Sequence, residues 1–125
     1  MKPWVYIASP YTLGDTGLNV HFQCAMFDKM MDERVVLPYV PLWSHFQHLT
    51  FPRCYTDWIA YDHEIIKKMD GLIRLNAEVV LPQHDYHQAT SSGADGEVEL
   101  ALDLRIPVFY DIASLYQWAK HEWPS

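Results

Sequence analysis

The sequence predicts a three-layer α/β sandwich built on a mostly parallel sheet of four or five strands. Three observations carry that expectation. Short apolar runs at residues 4–9, 35–40, 71–75 and 107–110 have strand length and are bounded by turn residues. Between them lie longer segments whose apolar residues recur at three- and four-residue spacing, the period of a helix packed on one face. The connections are mostly short, and strand–helix–strand units joined in this way cross over right-handedly into parallel sheets.

Taken in order, Trp4-Val5-Tyr6-Ile7-Ala8-Ser9 is the first strand, ending in a turn at Pro10-Tyr11-Thr12-Leu13-Gly14. A strand and loop at the very start suit a domain whose first strand-to-helix loop meets a ligand. Asp15 or Thr16 can cap a helix over residues 18–32, with Leu18, Phe22, Ala25 and Met26 on one face. The run 35–40 is apolar throughout, as in a strand covered on both sides. Residues 41–53, with Trp43, Phe46, Phe51 and two histidines, read as irregular, with room for one short helical turn. This stretch is too apolar for a solvated loop, and a lid or an oligomer contact is expected there. A helix over residues 55–69 carries the stripe Trp58, Ile59, Ile65, Ile66 and Met69, with Lys67 and Lys68 on its outer side near the C-terminus. Gly71-Leu72-Ile73-Arg74-Leu75 is the next strand and residues 76–90 form a long loop. A small-residue turn, Ser91-Ser92-Gly93, then opens a helix that runs to about Leu104, followed by a strand at 107–110 and an amphipathic helix over 112–121. The whole reads as one flavodoxin-like or Rossmann-like domain spanning residues 1–125.

Composition narrows the function. Half of the 125 residues are hydrophobic, enough for a real core. A net charge of −7 argues against a nucleic-acid backbone or an anionic membrane surface as the main partner. No apolar run approaches the roughly 18 residues of a transmembrane helix, and the N-terminus lacks the apolar region of a signal peptide. Cys24 and Cys54 are the only cysteines. A reduced, cytoplasmic setting is therefore expected, with both thiols as small buried apolar groups.

The sharper clue is a pair of carboxylates on apolar stripes. Leu100, Ala101 and Leu104 lie at i+3, i+4 and i+7 from Glu97, so Glu97 shares their face, while Asp95, Glu99 and Asp103 fall on others. Asp62 follows Trp58 by four residues and precedes Ile65 by three, which turns it inward as well. Each could be satisfied locally, Asp62 by an Arg or Tyr and Glu97 by backbone donors. Together they suit paired-carboxylate chemistry at a sugar, in which one attacks the anomeric carbon and the other manages the leaving group's proton. Glu97, placed in the first turn of its helix, is expected to stay ionised beside the helix N-terminus. Asp62, in a more apolar surround, is expected to carry the proton.

Three stretches resemble the nucleoside 2-deoxyribosyltransferase-like superfamily, in particular its small bacterial and phage domains. Val5-Tyr6-Ile7-Ala8-Ser9-Pro10-Tyr11 is similar to that family's opening strand with its active-site tyrosine. Asp62, followed by Met69-Asp70-Gly71-Leu72-Ile73, is similar to its helix-to-strand junction. Ser91-x-Gly93-Ala94-x-x-Glu97-x-x-x-Ala101 is similar to the motif of its nucleophilic glutamate. The resemblance implies Glu97 as nucleophile, Asp62 as its acidic partner and Tyr6 as the phenol that positions Glu97. It also implies a substrate cradle from Ser9, Pro10, Tyr11, Ser91, Ser92 and Gly93, and a homo-oligomer of two or more chains. Family members that hydrolyse nucleotides carry serine where this chain has Ser91, so a 5′-phosphate is a further expectation. A serine hydroxyl and free N–H groups at a helix start suit that anion, although Ser91 or Ser92 serves equally as an ordinary cap. The implied partner is a small-molecule nucleoside or nucleotide, and no cofactor is expected.

Histidines and aromatics leave alternatives open. His45-Phe46-Gln47-His48 and His84-Asp85-Tyr86-His87 are both H-x-x-H, a spacing that can share a metal on a helix, yet no H-E-x-x-H pattern is present. His45 is instead taken as a contributor to a base pocket, with Trp58 as a stacking surface. Trp43, Phe46, Phe51, Trp58 and Tyr61 serve core or interface packing equally well. A non-catalytic nucleotide-binding domain, a structural oligomer and a metal hydrolase stand as the competing readings.

Overall fold

The computed structural model describes residues 1–9, 16–75 and 92–124, and the side chains of these except at positions 16–18 and 92–95. In chain order the elements are β1 (Trp4–Ala8), α1 (Thr16–Glu33), β2 (Leu37–Tyr39), α2 (Leu42–Thr50), α3 (Tyr55–Ile66), β3 (Gly71–Arg74), α4 (Ser92–Asp103), β4 (Val108–Phe109) and α5 (Ile112–His121). The four strands form one all-parallel sheet in the order β2-β1-β3-β4. This is the α/β three-layer sandwich that the alternation of apolar runs predicts.

Alternation along β1 divides the core in two. Val5 and Ile7 point to one side, where Phe22, Met26 and Met30 of α1 meet Leu115 and Trp118 of α5. Tyr6 and Ala8 point to the other, against Ile66 of α3 and Ala101 of α4. All four strand residues are fully buried, as a central strand between two helical layers requires. The i, i+4, i+8 spacing of Phe22, Met26 and Met30 explains why α1 presents one apolar ridge to the sheet. Pro38 lies in β2, which is an edge strand, where a missing N–H costs no ladder bond. The strand is accordingly three residues long, shorter than the apolar run 35–40 suggests.

Two further corrections are structural. Residues 42–50 form a nine-residue helix where the sequence reads as irregular, with Leu42 and Ser44 buried. Cys24 and Cys54 are exposed free thiols, not buried apolar groups. Cys54 immediately precedes α3, and Cys24 is off the buried Phe22–Met26 ridge of α1. The expected loop at residues 76–90, with His84, Asp85 and His87, lies outside the described residues.

Candidate active site

The chain leaves β1 for β2 on one side and later returns to β3 on the other, so the strand order reverses between β1 and β3. In open parallel sheets, ligands bind beyond the carboxyl ends of the strands at such a reversal. The Tyr6 side of β1 faces the α3–α4 layer, and there the sequence-derived trio meets. Tyr6 is fully buried, Glu97 is 7% exposed and Asp62 is partly buried. Glu97 reaches this position because Ala101, one turn further along α4, packs on the sheet and sets the helix's face.

The electrostatics of the trio follow from burial. Glu97 is raised from 4.5 to about 8, chiefly by desolvation; the Tyr6 phenol pulls it down, the Asp62 charge pushes it up and the Arg74 cation pulls it down. Asp62 is raised from 3.8 to about 6 by burial, against a lowering bond from Ser44. That bond is long, with Ser44 Oγ donating to Asp62 Oδ1 at 3.5 Å. Tyr6 is raised well above 10 by burial and by both carboxylates. Tyr6 Oη and Glu97 Oε2 are close enough to couple, yet each is a buried polar atom with no hydrogen-bond partner among the described residues.

The expected order of proton affinities is therefore reversed. Glu97 holds its proton more tightly than Asp62. The helix begins at Ser92, which puts Glu97 in the second turn of α4. The favourable field of a helix N-terminus fades within the first turn, so desolvation decides. Burial pushes both carboxyls up, Glu97 further than Asp62.

Other sequence-derived positions divide. Ser9 is buried just past the end of β1, on the edge where the reversal lies. Trp58 is turned toward α2, where its Nε1 donates to His48 Nδ1 at 2.9 Å. It lines an open surface cavity of about 460 Å³ with Arg53, Asp57, Ala60 and Tyr61. His45 lies beside Phe46, their rings 5.5 Å apart. Ser92 and Gly93 open α4, whereas Pro10, Tyr11 and Ser91 lie outside the described residues. Asp70, part of the second family-like stretch, accepts from the backbone N–H of Trp4 at 2.9 Å. It sits at the amino edge of the sheet, opposite the reversal, and serves as a strand clamp.

Three residues near the trio escaped sequence reasoning. Tyr39 of β2 pairs with Tyr6 in register, with ring centroids 5.6 Å apart, and burial raises it to about 12. Arg74 ends β3 and is the cation that acts on Glu97. A lone charge closing an apolar strand was the available signal for Arg74. Ser44 had none, because α2 itself was not foreseen. Among the described residues no cluster of three His, Cys, Asp or Glu side chains could hold a metal. There, His48 Nδ1 is already taken by Trp58 and by the Arg53 N–H at 3.1 Å. Among the described residues no helix is long and apolar enough to cross a membrane.

No protein-family model, curated protein or solved structure was found to match the chain.

Proposed function

We propose that this protein cleaves or transfers at the N-glycosidic bond of a nucleoside or nucleoside 5′-monophosphate, through a covalent glycosyl-Glu97 intermediate. What supports the reading is that Glu97 and Asp62 come together beside Tyr6 on one side of the sheet, both carboxyls raised by burial. Such a displacement needs one ionised carboxylate to attack and one proton for the departing base.

In the proposed sequence the Glu97 proton passes to Asp62 as substrate binds. The Glu97 carboxylate then attacks C1′ while the C1′–N bond breaks, and Asp62 gives its proton to the leaving nitrogen. Water, or a second base, later takes the glycosyl group from Glu97 and returns the enzyme to its starting charge. Moving the proton against two pKa units costs about 3 kcal/mol, a cost that ordering by Tyr6 and Arg74 and the developing positive charge on the sugar offset. Tyr6 Oη and Glu97 Oε2, which have no hydrogen-bond partner among the described residues, are the groups that a sugar hydroxyl would satisfy. The resemblance of the Ser91–Gly93 turn to a phosphate cradle supports a monophosphate, the −7 charge of the chain favours a small ligand over a polynucleotide, and the expected setting is cytoplasmic.

The test is release of free base from a panel of ribo- and deoxyribonucleosides and their 5′-monophosphates, with and without an acceptor base. Turnover by the wild type and none by Glu97→Gln is expected, and acceptor dependence separates transferase from hydrolase. Equal release by both proteins, or by neither, contradicts the reading. A ligand-induced rise in melting temperature without turnover would transfer support to a nucleotide-binding role.

A further inference from the structure

We infer that the outer face of α2 and α3 is the docking surface for a second copy of this chain, which forms a homodimer through it. The inference is independent of the proposed chemistry. These two helices connect β2 to β3, yet only Leu42 and Ser44 of α2 and Ile66 of α3 are buried. Helices of nine and twelve residues are marginal on their own and take most of their stability from tertiary packing. Here the apolar side chains face outward instead. Trp43, Phe46, Leu49, Phe51, Tyr55 and Tyr61 are each between 49% and 69% exposed. Trp58 ties the two helices into one surface, edge-on to His48 of α2 at 6.2 Å and to Tyr61 of α3 at 6.3 Å.

Area and charge select the occupant. At the size of such side chains, the six expose roughly 700 Å², close to the ~800 Å² that each partner buries in a stable interface. Residues 42–68, which hold both helices, carry Arg53, Lys67 and Lys68 against Asp57, Asp62 and Glu64 and so are neutral in sum, with Arg53 paired to Asp57 at 3.6 Å and Lys67 to Glu64 at 2.8 Å. The net charge of −7 therefore lies entirely outside this stretch. Two copies meeting elsewhere bring excess negative charge together; two copies meeting here do not. An isologous contact between two such neutral aromatic faces is the arrangement that closes as a dimer.

The test is sedimentation velocity on the full chain at micromolar concentration. The wild type is expected at twice the 14.6 kDa chain mass, and the Trp43→Glu/Phe46→Glu double variant at the mass of one chain. Circular dichroism and melting of the variant check that it folds. Met31→Glu and Leu102→Glu, at exposed apolar positions on α1 and α4, are expected to leave the dimer intact. A monomeric wild type overturns the inference. So does a dimer that survives the double variant, or one lost only through Met31 or Leu102.

Discussion

Tyr6 and Glu97 face each other across the α3–α4 side of the sheet, and neither Tyr6 Oη nor Glu97 Oε2 makes a hydrogen bond to a described residue. A buried polar group without a partner costs roughly 1–3 kcal/mol, so both atoms are places where a partner would be gained.

Glu97→Gln should therefore stabilise the protein. The folded chain binds the Glu97 proton at about 8, whereas an unfolded glutamate binds it near 4.5. Stability from this group is thus fully present below pH 4.5 and is lost progressively as pH rises toward 8. The gain from the substitution is expected to be on the order of 2 kcal/mol at pH 8 and to shrink toward pH 5. Thermal melts of both proteins across that range measure it, and a gain that grows at acid pH would contradict the account.

Tyr6→Phe and Asp62→Asn should move the Glu97 pKa in opposite directions. The phenol lowers it and the Asp62 charge raises it, so removing the first raises the value and removing the second lowers it. Carboxyl-carbon NMR titration of selectively labelled glutamate reads both. Base release should fall roughly 10²–10⁴-fold in Asp62→Asn.

The pH dependence of kcat/KM should be bell-shaped, with limbs near 6 and 8. These are macroscopic values of the coupled pair, set by the burial that raises Asp62 to about 6 and Glu97 to about 8. Asp62→Asn removes the upper limb, which reports the proton donor, and leaves a single rise with pH governed by Glu97 ionisation.

Two positions away from the site test the local physics of the fold. Arg105 closes α4 at φ 60°, with Ile106 N–H donating to Ala101 O at 2.8 Å and Arg105 N–H to Leu102 O at 3.0 Å. This is a glycine-type helix stop occupied by arginine. Arg105→Gly should stabilise by about 0.5–1 kcal/mol. Asp111 accepts from Ser114 N–H at 2.7 Å at the start of α5, and Asp111→Ala should cost about 1 kcal/mol. Urea melts at neutral pH measure both.

What the sequence revealed, and what it hid, follows from which forces are local. The inward turn of Glu97 and Asp62 was legible because helical period alone decides which face a residue shares. The parallel sheet was legible because apolar runs alternate with helical segments. Leu104, counted on the Glu97 stripe, is 41% exposed, since α4 ends at Asp103 and Leu104 falls in the turn that follows. The helix over residues 42–50 does carry Leu42, Phe46 and Leu49 at helical spacing, but at nine residues it is short enough that the periodicity was read as a single turn. The proton affinity of Glu97 was hidden because it depends on where α4 starts and on how completely the sheet covers the carboxylate. Asp70 does stand at a helix-to-strand junction, at the sheet edge opposite the reversal, where it accepts from the Trp4 N–H.

The most direct test of the central claim is the mass of Glu97-containing peptide from an acid-quenched reaction with a nucleotide that releases base. The account predicts a glycosyl adduct on that peptide, located at Glu97 and absent from Glu97→Gln. Base release with the adduct on the Asp62 peptide, or with no adduct in any quench, would contradict it.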